Sequence, residues 1–244
     1  TKEGKKDLST SLEQNNQECE SYYTLSTILE TQEEAKELIN LIKSVKMPAL
    51  TPQRRALMEF AQCNCLHKTK NYELASKHLQ LANKSKLIAF SSNAETLQKS
   101  IAASTSKFEA KDKTHINTTT GKERIFIVGM PRSGSTLLET ILSMNPEIKD
   151  LGESKALANA IEKISQDKSY KYNFQSLDKL YSEIEPINVT LHKYTADKQL
   201  YNFIHINMIA TYMPGAKIVH CRRNPMDNIL SMYRAKFTGI GNEY

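Results

Sequence analysis

The chain has 244 residues, enough for one large domain or two small ones, and its 39% hydrophobic and 25% charged content is ordinary for a globular protein. The formal net charge of +6 suits an anionic ligand, but the excess is modest and spread along the chain, so we do not expect nucleic-acid binding. No apolar run approaches the roughly 20 residues that span a bilayer. Residues 1–20 are polar and lack the apolar core of a signal peptide, so we do not expect a secretory signal. The spacing of the four cysteines indicates no set of disulfides, which favours a reducing cytoplasm.

The first part of the chain is predicted to be helical. Residues 1–20 are polar and are predicted to be disordered, and residues 21–102 form the helical segment. Apolar residues at helical spacing predict helices near 34–45, 55–66 and 72–87, the last two joined by a short polar turn. Two such helices form a hairpin of about 34 residues, the size of one tetratricopeptide repeat. Because a single repeat cannot make a free-standing solenoid, we expect it to cap the next domain, with protein binding as the alternative.

The second part of the chain is predicted to be an α/β domain. Residues 103–122 are rich in Ser, Thr and Lys and are predicted to be an exposed linker. In residues 123–244, β-branched runs alternate with helical patterns, which predicts a P-loop-like parallel sheet flanked by helices. Ligands of such sheets bind beyond the carboxyl ends of the strands. We predict strands near 124–128, 147–151, 193–197 and 217–221, and helices near 135–144, 153–165, 176–185, 200–212 and 225–237.

The most informative motif follows the first of these strands. Segment 125–139 runs from an apolar strand through a Gly- and Pro-containing turn into a helix that begins with Ser135 and Thr136. Such a turn directs backbone N–H groups and the positive end of a helix dipole at one point, where a phosphate-like anion binds. The turn nearly fits the loop G-x-x-x-x-G-K-[ST], but Ser135 replaces the lysine and the positive charge comes from Arg132. A guanidinium suits a tetrahedral oxyanion, so we predict a loop that needs no metal.

Charged side chains follow the other three strands as well. Arg223 precedes the last helix and Ser231 lies about two turns into it. The two are predicted to hold a second anion near the N-terminal end of that helix, which indicates a ligand with two separate phosphate groups. Glu153 follows the second strand and is either a favourable charge at a helix N-terminus or a general base. Lys198 follows the third strand and is either a surface lysine or a cation that stabilises a leaving group.

In combination, these motifs resemble the sulfotransferases that use 3′-phosphoadenosine 5′-phosphosulfate (PAPS). The chain is most similar to the bacterial type that carries tetratricopeptide repeats before the catalytic domain and is related to tyrosylprotein sulfotransferases. The resemblance rests on the order and spacing of the loop 129–136, the pair Gly152-Glu153, the pair Asp197-Lys198 and the pattern Arg223-x-Pro225-x-Asp227-x-x-x-Ser231.

The resemblance implies an enzyme that transfers a sulfuryl group from PAPS to the hydroxyl of a peptide tyrosine, a carbohydrate or a small molecule, without a metal. It assigns Glu153 as the base for the acceptor hydroxyl, Lys198 as the cation beside the leaving oxygen and Arg132 as a residue of both catalysis and binding. The implied contacts to the 5′-phosphosulfate come from Arg132, Ser133, Gly134, Ser135 and Thr136, and those to the 3′-phosphate come from Arg223 and Ser231.

The chain also departs from the family pattern. Ser135 stands where the family usually has Thr, and Gln199-Leu200 stands where related enzymes commonly have Met-Pro. The family continues beyond the position of Tyr244, so we expect the C-terminal part of the domain to be missing from this sequence.

Two other functions stay open at the level of sequence. The first is a P-loop kinase for nucleotides or small molecules, which the missing loop lysine and the second anion site at Arg223 and Ser231 disfavour. The second is a non-catalytic adaptor of the tetratricopeptide type with a decayed or truncated enzyme domain. The presence of both Glu153 and Lys198 argues against that decay.

Overall fold

The structure is a computed structural model that describes residues 2–15, 18–106, 117–166, 176–185 and 191–237. Its internal contacts divide the chain into two compact units, one of Thr1–Ala94 with Met232–Tyr244 and one of Glu95–Ser231. The division at residue 94 lies before the predicted linker, most of which (107–116) falls outside the described residues.

The first unit is helical. Its helices are α1 (Lys2–Gln14), α2 (Cys19–Thr27), α3 (Gln32–Lys43), α4 (Pro52–Lys68) and α5 (Tyr72–Ala89). Thr31 begins α3 with a capping box, in which its hydroxyl accepts the Glu34 amide and the Glu34 side chain accepts the Thr31 amide. Thr51 caps α4, and Pro52 occupies the first helical position, where a missing N–H is harmless. The starts of both helices therefore follow from local sequence.

Helix α1 corrects the prediction that residues 1–20 are disordered. Leu12 is buried in an apolar cluster that includes Tyr22. The Lys5 ammonium lies 3.1 Å from carboxylate oxygens of both Glu30 and Glu34. These partners are distant in sequence, so the polar local composition does not reveal them.

Helices α4 and α5 form the predicted hairpin. The Asn71 side chain accepts the Leu74 amide and so begins α5 directly after the turn. A shared apolar cluster packs the two helices together, with Phe60, Cys63 and Leu66 from α4 and Ala75, Leu79 and Ala82 from α5. The structure thus contains the helix pair, while its assignment as a tetratricopeptide repeat stays a prediction.

The second unit is an α/β layer structure, and the predicted fold class is confirmed. The described strands are β1 (Arg124–Gly129), β2 (Ile148–Gly152), β3 (Tyr194–Asp197) and β4 (Lys217–Cys221). They lie in the order β2-β3-β1-β4, and every pair is parallel. The chain also forms α6 (Ala94–Ser106), α7 (Ser135–Ser143), α8 (Ala156–Gln166), α9 (Leu177–Ile184), a 3₁₀ helix (Leu200–His205), α10 (Ile206–Tyr212) and α11 (Pro225–Tyr233).

Strand β1 is the centre of the α/β unit and is buried along its whole length. Its side chains Phe126 and Val128 pack against residues of α8, α9 and α10, as expected for a parallel strand covered on its faces. At its end, Gly129 has φ +147°, and a Cβ there would lie 2.5 Å from the Cys221 carbonyl oxygen. Glycine is therefore required where β1 passes β4 and enters the loop.

Candidate functional site

The four parallel strands end at the same edge of one sheet, and predicted site residues follow each of them. The loop 130–134 follows β1, Glu153 follows β2, Lys198 follows β3 and Arg223 follows β4. The order of the strands places the end of β1 between the ends of β3 and β4. Hydrogen bonds and ion pairs between these segments determine which groups are available to a ligand.

The loop after β1 presents unsatisfied donors. Arg132 (φ +65°) and Gly134 (φ +99°) both adopt left-handed conformations, which turn the chain sharply into α7. The N-cap residue of α7 is Gly134, which has no side chain to accept the first amides of the helix. The Ser133 hydroxyl oxygen is buried and has no hydrogen-bond partner among the residues that the structure describes. Since buried polar atoms are nearly always hydrogen-bonded, this loop is suited to an external oxyanion.

The two predicted anion positions contact each other directly. Arg132 donates from Nε to Ser231 Oγ at 3.2 Å, and Arg223 donates from Nη1 to the carbonyl oxygen of Arg132 at 3.3 Å. Asn228 adds a third link, since its side-chain amide donates to the Pro131 carbonyl at 2.7 Å. The loop after β1 and the start of α11 therefore form one connected cationic surface.

The N-terminus of α11 is already occupied by a neighbouring side chain. Asn224 accepts the backbone amides of Met226 and Asp227 at 2.9 and 3.3 Å. A second anion at this place must therefore be held by the side chains of Arg223 and Ser231 rather than by the backbone of the helix.

Lys198 lies between two carboxylates. Its ammonium is 3.2 Å from Glu153 Oε1 and 3.5 Å from Glu139 Oε2. Only 9% of the Lys198 side chain and 11% of the Glu139 side chain are exposed, against 67% of the Glu153 side chain. The Lys198 backbone N–H donates to the Gly152 carbonyl at 2.8 Å and joins the turns that follow β2 and β3. Lys198 is therefore not a solvent-exposed lysine, and its role beside a leaving group stays a prediction.

Asp197, the residue before Lys198, supports this turn. It accepts the Tyr181 hydroxyl at 2.9 Å and the Gln199 backbone amide at 2.9 Å. Burial raises the pKa of the Asp197 carboxyl to about 6, although these hydrogen bonds act in the opposite direction. Burial raises the pKa of Tyr181 as well, and the adjacent Asp197 adds to the effect. Asp197 thus fixes the backbone from which Lys198 projects.

Sequence reasoning missed Glu139 and Asn228. Glu139 carried a readable signal: it is an acid within the apolar helix α7, one turn after Ser135 and buried with it. Asn228 carried none, since its acceptor is a backbone carbonyl 97 residues away in sequence.

Neither a metal cluster nor a membrane-spanning helix is found in the described ranges. These residues include no group of three or more His, Cys, Asp and Glu side chains that could hold a metal ion. Within the same ranges no helix is long and apolar enough to cross a bilayer.

The part of the chain that contains the sheet matches a known protein family. Residues 122–239, which extend from just before β1 to beyond α11, match the family model described as "Sulfotransferase domain". This part of the chain thus matches the sulfotransferase family that the motifs indicated, while the PAPS-dependent, tetratricopeptide-type subfamily stays a prediction.

A curated relative is also similar to the chain. An uncharacterized protein of Aquifex aeolicus (strain VF5) is 27% identical over 239 residues, which cover 85% of this chain and 29% of that protein. The chain thus spans less than a third of the length of this relative. No solved structure matches the chain.

Proposed function

We propose that the chain transfers a sulfuryl group from PAPS to an acceptor hydroxyl by in-line displacement, with Glu153 as the general base. The family match supports sulfuryl transfer in general. The observation that carries the finer proposal is the pairing of two anion positions, one at Ser133 and the uncapped start of α7, the other at Arg223 and Ser231. A donor with a 5′-phosphosulfate and a 3′-phosphate has two anionic groups to fill them.

The loop after β1 is assigned to the 5′-phosphosulfate. The Ser133 hydroxyl lacks a partner among the described residues, and the N-cap residue of α7, Gly134, has no side chain to accept the first amides of the helix. Arg132 uses Nε for Ser231, while its two Nη groups make no hydrogen bond within the described part of the chain. These donors suit the phosphate and sulfuryl oxygens of a 5′-phosphosulfate, where charge increases during the reaction.

Glu153 is suited to take the acceptor proton because one of its oxygens is held and the other is open. Oε1 contacts the Lys198 ammonium at 3.2 Å, whereas Oε2 makes no hydrogen bond with any described residue. In the proposed step the acceptor oxygen forms a bond to sulfur as the bond between sulfur and the phosphate oxygen breaks. The hydroxyl proton passes to Glu153, and Lys198 stabilises the charge left on the phosphate oxygen.

Arg132, Lys198 and Arg223 supply the positive charge of this mechanism, so we propose that no metal is required. The acceptor is a hydroxyl on a peptide tyrosine, a carbohydrate or a small molecule, and the α4–α5 hairpin is the proposed surface for protein contact. A reducing cytoplasm is part of the same proposal, and the lack of a disulfide among the four cysteines supports it.

The replacement Glu153→Gln tests the proposed base. We expect binding of adenosine 3′,5′-bisphosphate to be retained and the transfer of ³⁵S-labelled sulfuryl from PAPS to fall at least about a hundredfold, the scale of a positioned base. The acceptor panel comprises a phenol, a tyrosine peptide and an amino sugar. Glu147→Gln, the same change at an exposed position, is the control and should leave transfer unaltered. Unchanged turnover in Glu153→Gln would remove Glu153 from this role.

A further inference from the structure

Glu139 is a buried carboxylate for which the proposed reaction has so far supplied no role. Its Oε2 lies 3.5 Å from the Lys198 ammonium, and its Oε1 is buried without a hydrogen-bond partner among the described residues. A buried charge that is only partly satisfied is costly to the folded state. Its place opposite Lys198, on the helix that begins at the anion loop, points to a use in the reaction rather than in folding alone.

The acidic groups around Lys198 explain why Glu139 in particular is needed beside its ammonium. Glu153 faces the ammonium from the turn after β2 and Glu139 faces it from α7, while Asp197 is engaged with Tyr181 and Gln199. Glu153 is largely exposed and, in the proposed reaction, becomes neutral when it takes the acceptor proton. Glu139 is then the carboxylate that remains beside the buried ammonium, and an ammonium in a poorly solvated place needs such compensation.

We propose that Glu139 is a positioning residue that holds the Lys198 ammonium, charged and in place, while Glu153 serves the acceptor. This inference rests on the proposed function. Glu139 acts through Lys198 and contacts neither donor nor acceptor. Because Ser135 and Glu139 share the buried face of α7, one helix presents the anion loop at its start and sets the leaving-group cation one turn later.

A double-mutant cycle on turnover tests this role. Glu139→Gln is expected to lower kcat about tenfold to a hundredfold, with the KM for PAPS changed much less, since Lys198 acts on charge that develops in the transition state. In the background of Lys198→Met, Glu139→Gln is expected to have no further effect on kcat, because the residue through which it acts is gone. Equal losses of kcat in both backgrounds would show a purely structural role and overturn the inference.

Two further variants separate the role of the Glu139 carboxylate from the general effect of removing a negative charge. Glu139→Asp retains a carboxylate and should recover part of the kcat that Glu139→Gln loses. Glu147→Gln removes the same charge from an exposed position and should retain the wild-type kcat. If Glu139→Asp were as slow as Glu139→Gln while Glu139→Gln folds normally, the carboxylate would not be the active element and the inference would fail.

Urea unfolding supplies a readout that does not depend on turnover. Lys198→Met leaves Glu139 buried without its cation and should lower the unfolding midpoint, and adding Glu139→Gln should restore part of it. A wild-type chain that shows this stability coupling but neither binds adenosine 3′,5′-bisphosphate nor transfers sulfuryl would refute the proposed function. An active wild type with full kcat in Glu139→Gln would instead refute the role of Glu139.

Discussion

Replacing Ser133 by alanine should affect folding and ligand binding in opposite directions. The Ser133 hydroxyl oxygen is buried and has no partner among the described residues. An unsatisfied buried hydroxyl costs the folded state about 1–3 kcal/mol, so its removal should raise the free energy of unfolding by about 1 kcal/mol. The same hydroxyl is proposed to bind a charged oxygen of the donor. Since a hydrogen bond to a charged group contributes about 1.5–3 kcal/mol, Ser133→Ala should raise the Kd of adenosine 3′,5′-bisphosphate about tenfold to a hundredfold.

Urea unfolding without ligand and isothermal titration calorimetry measure the two effects of Ser133→Ala separately. Ser165→Ala is the matched control, because its hydroxyl donates to the Ile161 carbonyl on the exposed face of α8. The control should change the free energy of unfolding by less than about 0.5 kcal/mol and leave the Kd unchanged. If Ser133→Ala were less stable than wild type, or bound the bisphosphate equally well, the hydroxyl would not be reserved for a ligand.

Three other replacements probe the rest of the site. Arg223→Ala should raise the Kd of adenosine 3′,5′-bisphosphate at least about tenfold while leaving that of AMP nearly unchanged. If calorimetry showed that the variant binds the bisphosphate as tightly as wild type does, the assignment of Arg223 to the 3′-phosphate would be wrong. Gly129→Ala places a Cβ 2.5 Å from the Cys221 carbonyl at φ +147° and should cost about 1–3 kcal/mol in urea unfolding; a variant as stable as wild type would contradict the close approach. Asp197→Asn removes a carboxyl whose pKa burial raises from 3.8 to about 6. Because the folded state holds this proton more tightly than the unfolded state, the wild-type free energy of unfolding should fall by about 3 kcal/mol as pH rises from about 4 to above 6. The variant should lack that fall. If the free energies of unfolding of wild type and variant differed by the same amount at every pH in this range, the raised pKa would be refuted.

The parts of the fold that depend on neighbouring residues could be predicted from sequence. Strand β1, the loop and α7 were predicted within a residue or two, because an apolar run, a glycine and a helix start follow one another without a gap. The carboxyl edge of the sheet then followed from the parallel topology, and the structure brings Arg132, Glu153, Lys198 and Arg223 to that edge.

The parts that depend on distant partners were missed. Helix α1 is stabilised by Leu12 in a cluster with later helices and by the contact of Lys5 with Glu34, 29 residues away. Glu139 meets Lys198 only because α7 and the end of β3 are brought together by the sheet. The predicted helix 200–212 begins as a 3₁₀ helix from Leu200 to His205, a distinction that apolar spacing does not make.

Comparing the binding of two nucleotides tests the central claim most directly. Binding of adenosine 3′,5′-bisphosphate and of ATP is measured by calorimetry on the wild-type chain, with EDTA and with Mg²⁺. The account predicts that the bisphosphate binds in EDTA, that Mg²⁺ does not strengthen its binding, and that Mg-ATP binds much more weakly. Binding of Mg-ATP alone, with none of the bisphosphate, would contradict the assignment of this edge of the sheet to a sulfuryl donor.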